Sequence, residues 1–327
     1  MIIEKKEFIR RRFKFLSLMQ DPFNILREMG IHLSAAGYTN IEITEDYLIA
    51  EGNIPLTLLA HADTAFKTKP QEFFYDREKT VMWSPNGMGA DDKAGLVAIQ
   101  FLAGDYLEEP LERRPHIIIT DGEESGCIGA QKLIKKYPKF PFGECKYLVQ
   151  LDRKGKEDCV FYDCANPEFI KYIESFGFKT NYGTYTDISV FGPAWGIAAV
   201  NLSVGYENEH TTSEYLNFTN LYLTMDKVEK MIADIDNASS FDYISNKPKY
   251  LWDSFYTSKC YLCGNKVSDF ETIGVLDDTG HYRFICVDCV ANPAIKICDS
   301  CNEMFLATEE NTKCFKCRKE EKHGKRK

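Results

Sequence analysis

The sequence predicts an α/β protein: a three-layer α/β/α sandwich around a mixed sheet, with a small cysteine-rich domain at its C-terminal end. Strand-like and helix-like runs alternate from about residue 20 to residue 235, which predicts the sandwich. Eight cysteines fall into four Cys-x-x-Cys pairs, all after residue 259, which predicts the appendage. A length of 327 residues suits one large body with one small addition.

Taken in order, Phe8, Ile9, Phe13, Phe15 and Leu16 interleave with basic residues, the pattern of an amphipathic first helix. Residues 41–44, 47–50 and 56–60 are short apolar runs read as strands. Residues 93–106 carry Ala, Leu, Val and Ile at helical spacing, so Asp91 and Asp92 stand at a helix N-terminus. Further strands are read over 116–120, 147–151 and 198–204. Further helices are read over 129–137, 167–176 and 220–235, the last with Asn220 as its cap. The organisation expected is a body over 1–245, a linker over 246–257 containing Pro248, a cysteine-rich domain over 258–318 and a basic tail over 319–327. Apart from the cysteine pairs there is no internal repeat.

A net charge of −9 argues against a nucleic-acid-binding body. Arg318, Lys319, Lys322, Lys325, Arg326 and Lys327 make the tail basic, and nucleic-acid contact there is not the favoured reading. No apolar run is long enough to span a bilayer, and the first residues lack the apolar core of a secretory signal. The location expected is cytoplasmic, with no membrane partner. In a reducing compartment twelve cysteines point to metal ligands rather than disulfides. Cys127, Cys145, Cys159 and Cys164 follow no ligand spacing and read as packing residues.

Five short segments carry the chemistry: His61-Ala62-Asp63, Gly89-Ala90-Asp91-Asp92-Lys93, Glu123-Glu124, Asp152 and His210. Each lies at or just past an apolar, strand-like run or at a helix start. In open α/β sheets the carboxyl ends of strands converge on one crevice, so these residues can share a site. Two imidazoles, several carboxylates and a spare Glu are what a two-metal hydrolytic centre needs. His61 and Asp63 point to one face if the strand runs through them, and an Asp so placed can fix the tautomer of a ligating His. Asp91, with two oxygens, can bridge two cations. Adjacent glutamates on a tight turn let one bind metal while the other takes a proton. Singly, a strand-end His, an acidic helix cap or an exposed acidic turn explains most of these segments; jointly they do not.

The constellation resembles the di-zinc exopeptidase superfamily, which includes leucyl aminopeptidases, tripeptide aminopeptidases and carboxypeptidase G-like enzymes. The resemblance runs from about residue 55 to residue 216. Its most specific parts are residues 89–95, residues 121–126 and His210-Thr211-Thr212-Ser213-Glu214. It implies that His61 and Asp152 hold one metal, Glu124 and His210 the other, and that Asp91 bridges them. It implies Glu123 as general base, with Asp63 orienting it or His61, and a peptide bond between Asp91 and Asp92 that is often cis. Zn2+ is the implied catalytic metal, with Co2+ or Mn2+ able to serve. Residues 153–209 leave no room for the lid domain of the carboxypeptidase and tripeptidase branches, so a lidless, aminopeptidase-like architecture is expected. Asp187, in a loop between the last two ligands, is the candidate substrate contact.

The pairs Cys260/Cys263, Cys286/Cys289, Cys298/Cys301 and Cys314/Cys317 predict two structural Zn2+ sites in a region that resembles zinc ribbons in general. Sequential and interleaved pairings both remain open, and such a region depends on metal to fold. It is a candidate site for a protein partner. The function expected is a metal-dependent exopeptidase, an aminopeptidase on short peptides. An amidohydrolase of an N-acylated small molecule and a non-catalytic zinc-ribbon adaptor are the alternatives.

Overall fold

The computed structural model describes residues 5–104, 112–246, 257–268, 272–301, 303–307 and 311–324. The chain divides into two units, residues 1–246 and 247–327. The linker expected over 246–257 lies outside the described residues but for its two ends.

In the first unit the chain opens with α1 (Lys5–Ser17) and α2 (Pro22–Ala35), followed by β1 (Ile41–Ile43), β2 (Tyr47–Ala50) and β3 (Ile54–His61). Two short strands, β4 (Phe74–Tyr75) and β5 (Val81–Trp83), lead to α3 (Ala90–Leu102), β6 (Pro115–Thr120), α4 (Ile128–Lys136) and β7 (Tyr147–Arg153). Then come β8 (Asp158–Val160), α5 (Pro167–Glu174), β9 (Lys179–Thr180), α6 (Ile188–Trp195) and β10 (Ala199–Ser203). The unit closes with β11 (Tyr206–Glu207), β12 (Tyr215–Asn217) and α7 (Phe218–Asp234).

Eight strands form one sheet in the order β1-β2-β6-β3-β7-β10-β8-β9. Its centre, β6-β3-β7-β10, is parallel, while β1, β2 and β8 join antiparallel, so the sheet is mixed. Side chains alternate across it. Leu58, Ala60, Ile117, Ile119, Val149 and Leu151 face one core with residues of α1, α2, α3 and α7. Leu59, Ile118 and Leu148 face the other, with Leu133 of α4 and Phe191 of α6. Helices on both faces bury nearly all of the central strands, which is why these strands are apolar without alternation. The three-layer sandwich is the architecture the sequence predicts.

The differences from the sequence reading include two boundaries and one helix. The helix read over 93–106 ends at Leu102, followed by Gly104 at φ 90°, and residues 105–106 lie outside the described residues. The last helix of the unit starts at Phe218, not 220. Its cap is Asn217, whose side chain accepts from the N–H groups of Thr219 and Asn220, so Asn220 is inside the first turn. The helix α6 was not read, because Gly192 and Pro193 break the propensity of a segment that packing holds helical.

The second unit holds the hairpin β13 (Thr257–Lys259) and β14 (Lys266–Ser268). It also holds β15 (Thr272–Leu276), β16 (Tyr282–Cys286), β17 (Ile295–Ile297) and β18 (Met304–Leu306), arranged β16-β15-β18-β17. Its last helix, α8 (Phe315–Gly324), takes in the first part of the basic tail, and residues 325–327 lie outside the described residues.

Candidate metal centre

The parallel strands deliver the site. β3 ends on His61, β6 on Thr120 just before the Glu123-Glu124 turn, and β7 carries Asp152 at its end. Register pairs His61 with Thr120 and Leu59 with Gln150, so these ends lie side by side. The glycine-rich turn before α3 brings Asp91 to them, with Gly89 at φ 65°. Asp91 and Asp92 depart from helical φ/ψ, and the peptide bond between them is cis. Gly95 lets α3 lie against β7: a Cβ there would sit 2.0 Å from the Leu151 carbonyl oxygen. His210 comes from the loop between β11 and β12, and it holds φ at 61°.

Two groups of metal-ligand atoms result. His61 Nε2 lies 3.0 Å from Asp91 Oδ1 and 3.4 Å from Asp152 Oδ1. His210 Nε2 lies 3.1 Å from Asp91 Oδ2 and 3.0 Å from Glu124 Oε1. The two oxygens of Asp91 therefore face different imidazoles. Potential ligand atoms of His61, Asp92 and Asp152, and those of Asp91, Glu124 and His210, each lie within 4.8 Å of one another. Asp92 Oδ1 accepts from the Gly95 N–H and its Oδ2 from the His61 N–H, so that carboxylate ties the strand end to the helix start. Imidazole and carboxylate in this density, facing one cavity, fit divalent cations.

Electrostatics agree with that fit. Burial pushes the His61 pKa down, yet the carboxylates of Asp152, Asp63 and Asp91 outweigh it and hold it well above its ordinary value. Burial alone would raise Asp91, but hydrogen bonds with His210 and His61 hold it low. Glu123 is pushed up to about 9, first by burial and then by the charges of Asp152, Asp187 and Asp91, against the pull of His61. Positive charge brought into this cavity would relieve the crowding of carboxylates.

Asp63 binds His61 and the glutamate turn together. Its Oδ1 lies 3.1 Å from His61 Nδ1 and accepts from the Glu123 N–H, while its Oδ2 accepts from the Glu124 N–H. Asp187 is 1% exposed and accepts from the Thr120 hydroxyl. It stands behind the cavity wall, and its neighbours Thr184, Tyr185 and Thr186 line the cavity instead.

Sequence reasoning missed the groups that orient the ligands. Asp152 Oδ2 accepts from Gln150 Nε2 and Thr186 Oγ1, and Asn201 holds both the N–H and the carbonyl of Asp152. Glu214 is fully buried and accepts from the N–H groups of Met88 (2.8 Å) and Asp91 (3.4 Å), pinning the turn that presents Asp91. Lys93 is buried and donates to the Ala62 carbonyl, with burial lowering its pKa to about 8. The proximity of Glu214 to His210 in sequence was the one available signal.

In the second unit the eight cysteines form two groups, Cys260/Cys263/Cys286/Cys289 and Cys298/Cys301/Cys314/Cys317. The grouping is sequential. The Cys286 N–H donates to Cys260 Sγ and the Cys314 N–H to Cys298 Sγ, both at 3.3 Å. Four thiols converging in this way suit a tetrahedral structural ion.

Comparison with known proteins gives the same picture. The model of Peptidase family M28 matches residues 49–190. A tripeptidase from Staphylococcus aureus superposes with a TM-score of 0.59 at 16% identity, over 71% of this chain and 99% of that one. The aminopeptidase PepT from Bacillus cereus gives 0.57 at 17% identity, over 71% and 99%. The TET1 peptidase of Pyrococcus horikoshii gives 0.52 at 15% identity, over 68% and 99%. At such identities the likeness is one of fold. No curated protein sequence matches the chain. No helix among the described residues is long and apolar enough to cross a membrane.

Proposed function

We propose that this chain is a metal-dependent hydrolase of the M28-like di-metal exopeptidase superfamily and, within it, an aminopeptidase acting on short peptides. The observation that carries the reading is the surplus carboxyl. Asp91, Glu124 and Asp152 are engaged with the two imidazoles, whereas Glu123 lines the same cavity and makes no ion pair with either among the described residues.

In this reading His61, Asp152 and Asp91 would hold one cation, and Glu124, His210 and Asp91 the second. Divalent cations there would supply Lewis acidity toward a carbonyl and would acidify water. With a cation at Nε2, Asp63 would keep the remaining ring proton on His61 Nδ1. Glu123 takes the proton of the attacking water as the new C–O bond forms. It returns that proton to the amide nitrogen as the C–N bond breaks. A carboxyl whose pKa burial has raised is suited to holding a proton between those two events.

The test is mass spectrometry of a mixed peptide library incubated with the zinc-loaded protein and with its Glu123→Gln variant, with N-acylated substrates as a further arm. Stepwise loss of N-terminal residues by the wild type alone is expected, with equal metal content in both proteins. Trimming only of N-acylated substrates would replace the aminopeptidase with an amidohydrolase. Wild-type turnover in the variant would remove Glu123 as the base.

A further inference from the structure

The two imidazoles of the metal centre are held in different ways. His61 ends β3, inside the sheet, and its side chain is fully buried. The His210 side chain is 49% exposed and belongs to a loop, residues 208–213, that joins β11 to β12. Asn208 and His210 both take left-handed backbone conformations, φ 57° and 61°, which residues other than glycine seldom populate. A loop with two such residues has other conformations open to it, so something outside it must select this one.

Among the described residues the loop's hydrogen bonds run mostly within itself. Asn208 Nδ2 donates to the Ser213 carbonyl, and Thr211 Oγ1 donates to the Asn208 carbonyl. His210 faces Asp91 and Glu124. The other side chain that reaches out is Glu209, whose Oε1 lies 2.5 Å from Lys154 Nζ. Glu209 stands between the two left-handed residues, so an anchor on it fixes both bends.

Lys154 is a firm post for that anchor. It directly follows β7, which carries Asp152, and its carbonyl accepts from the hydroxyl of buried Ser203 at 2.7 Å. The next residue is pinned as well: the Gly155 N–H donates to the Tyr206 carbonyl, and the Gly155 carbonyl accepts from the Gly205 N–H, both at 2.9 Å. Lys154, Glu209 and His210 all line the cavity of the metal centre. Exposed ion pairs usually add little stability. This one is partly buried, its side chains 43% and 25% exposed, and it selects the placement of a loop. Affinity for a ligand scales with the fraction of protein in the binding-competent conformation.

We infer that the Lys154–Glu209 ion pair is a latch that holds the 208–213 loop to the end of β7 and so places His210 for the second cation. Lys154 and Glu209 are positioning residues, not ligands. The inference rests on the two-cation reading of the site and adds to it what fixes the exposed ligand.

The test uses the full-length protein with Lys154→Met, with Glu209→Gln and with the exchanged pair Lys154→Glu/Glu209→Lys. Zinc is titrated against a chromogenic chelator, and backbone hydrogen exchange of the zinc-loaded proteins is followed by mass spectrometry. Each single change is expected to weaken one zinc ion roughly 3- to 10-fold, between the effect of an exposed ion pair and that of a group bonded to a ligand. The other ions should be unaffected. The exchanged pair should recover most of the loss, because the attraction returns with its charges reversed. Salt at about 1 M should shrink the wild-type advantage, since a pair at a cavity rim is screened. Peptides covering 208–213 should exchange faster in the single variants, and those covering β3 and β6 should not.

Equal weakening of both ions of the first unit overturns the latch, because the charges would then act through the field of the whole site. An exchanged pair as weak as the single variants overturns it too. So does unchanged zinc affinity, or unchanged exchange over 208–213. Zinc content keeps the two readings apart. A wild type with a single ion in its first unit ends the two-cation reading, while faster exchange over 208–213 in the variants still upholds the latch on the loop.

Discussion

Glu214 shows how a residue that touches no candidate ligand side chain can govern one. Its carboxylate takes the backbone N–H groups of Met88 and Asp91, and so sets where the Asp91 oxygens point. Glu214→Gln puts an amide donor where an acceptor is needed. Metal affinity should fall by roughly 10- to 100-fold, as for other groups that orient ligands, measured by competition with a chromogenic chelator. His116 is a second case, remote from metal. Its Nδ1 accepts from the Gly52 N–H and its Nε2 donates to the Glu144 carbonyl, an arrangement available only to the neutral ring. Burial lowers its pKa below the ordinary 6.5. Between that lowered value and 6.5 the unfolded chain binds more protons than the folded one, so stability rises with pH through this window and is lost as pH falls through it. Urea denaturation between pH 5 and 7 should show that slope, and His116→Gln should flatten it.

At the scale of elements, α3 is the piece on which the site depends. All thirteen of its residues are buried, and it packs between β3, β7 and the outer helices. Gly95 permits this, because a methyl group there would meet the Leu151 carbonyl oxygen at 2.0 Å and the Asp92 carboxylate at 2.5 Å. Backbone atoms on one side and an anchoring carboxylate on the other leave no room to adjust. Gly95→Ala should cost about 1–3 kcal/mol as overpacking, read as a lower midpoint in denaturant. It should also weaken metal binding, since Asp91 and Asp152 lie at the two ends of the disturbed contact. A Gly in mid-helix normally signals weak propensity; here it marks close approach of a helix to a sheet.

At the scale of the whole molecule, the two units depend on metal differently. The first has an extensive apolar core on both faces of its sheet. The second has small clusters around its thiols, Val275, Ile285 and Leu306 near Cys260 and Cys286, and Leu276 and Phe305 near Cys298 and Cys314. So little apolar burial leaves folding of the second unit coupled to ion binding. Prolonged treatment with a strong chelator should make its eight paired cysteines titratable by a thiol reagent. The helical circular dichroism of the first unit should persist. Loss of both together would show that the first unit also needs ions to fold.

How much of this was legible in the chain differs by kind of residue. His61, Asp91, Glu123, Glu124, Asp152 and His210 stand out because each follows an apolar run or opens a helix, and strand ends must meet in a parallel sheet. The Cys-x-x-Cys units are local, so their spacing alone announces two ions. The cap at Asn217 was misplaced by one turn because Asn220 offers the same side-chain chemistry, and only the strand β12 leading into the helix decides between them. Gln150, Thr186, Asn201 and Glu214 resemble ordinary polar positions. Their work consists of hydrogen bonds to residues far away in sequence, and nothing local encodes that. The sequence by itself determined the alternation of elements, the ligand inventory and the cysteine pairs, because periodicity and side-chain chemistry are properties of short segments. The tertiary structure alone decided which oxygen of Asp91 faces which imidazole and which polar groups are buried to hold the ligands. These depend on distances between strands that the chain meets only after it has folded.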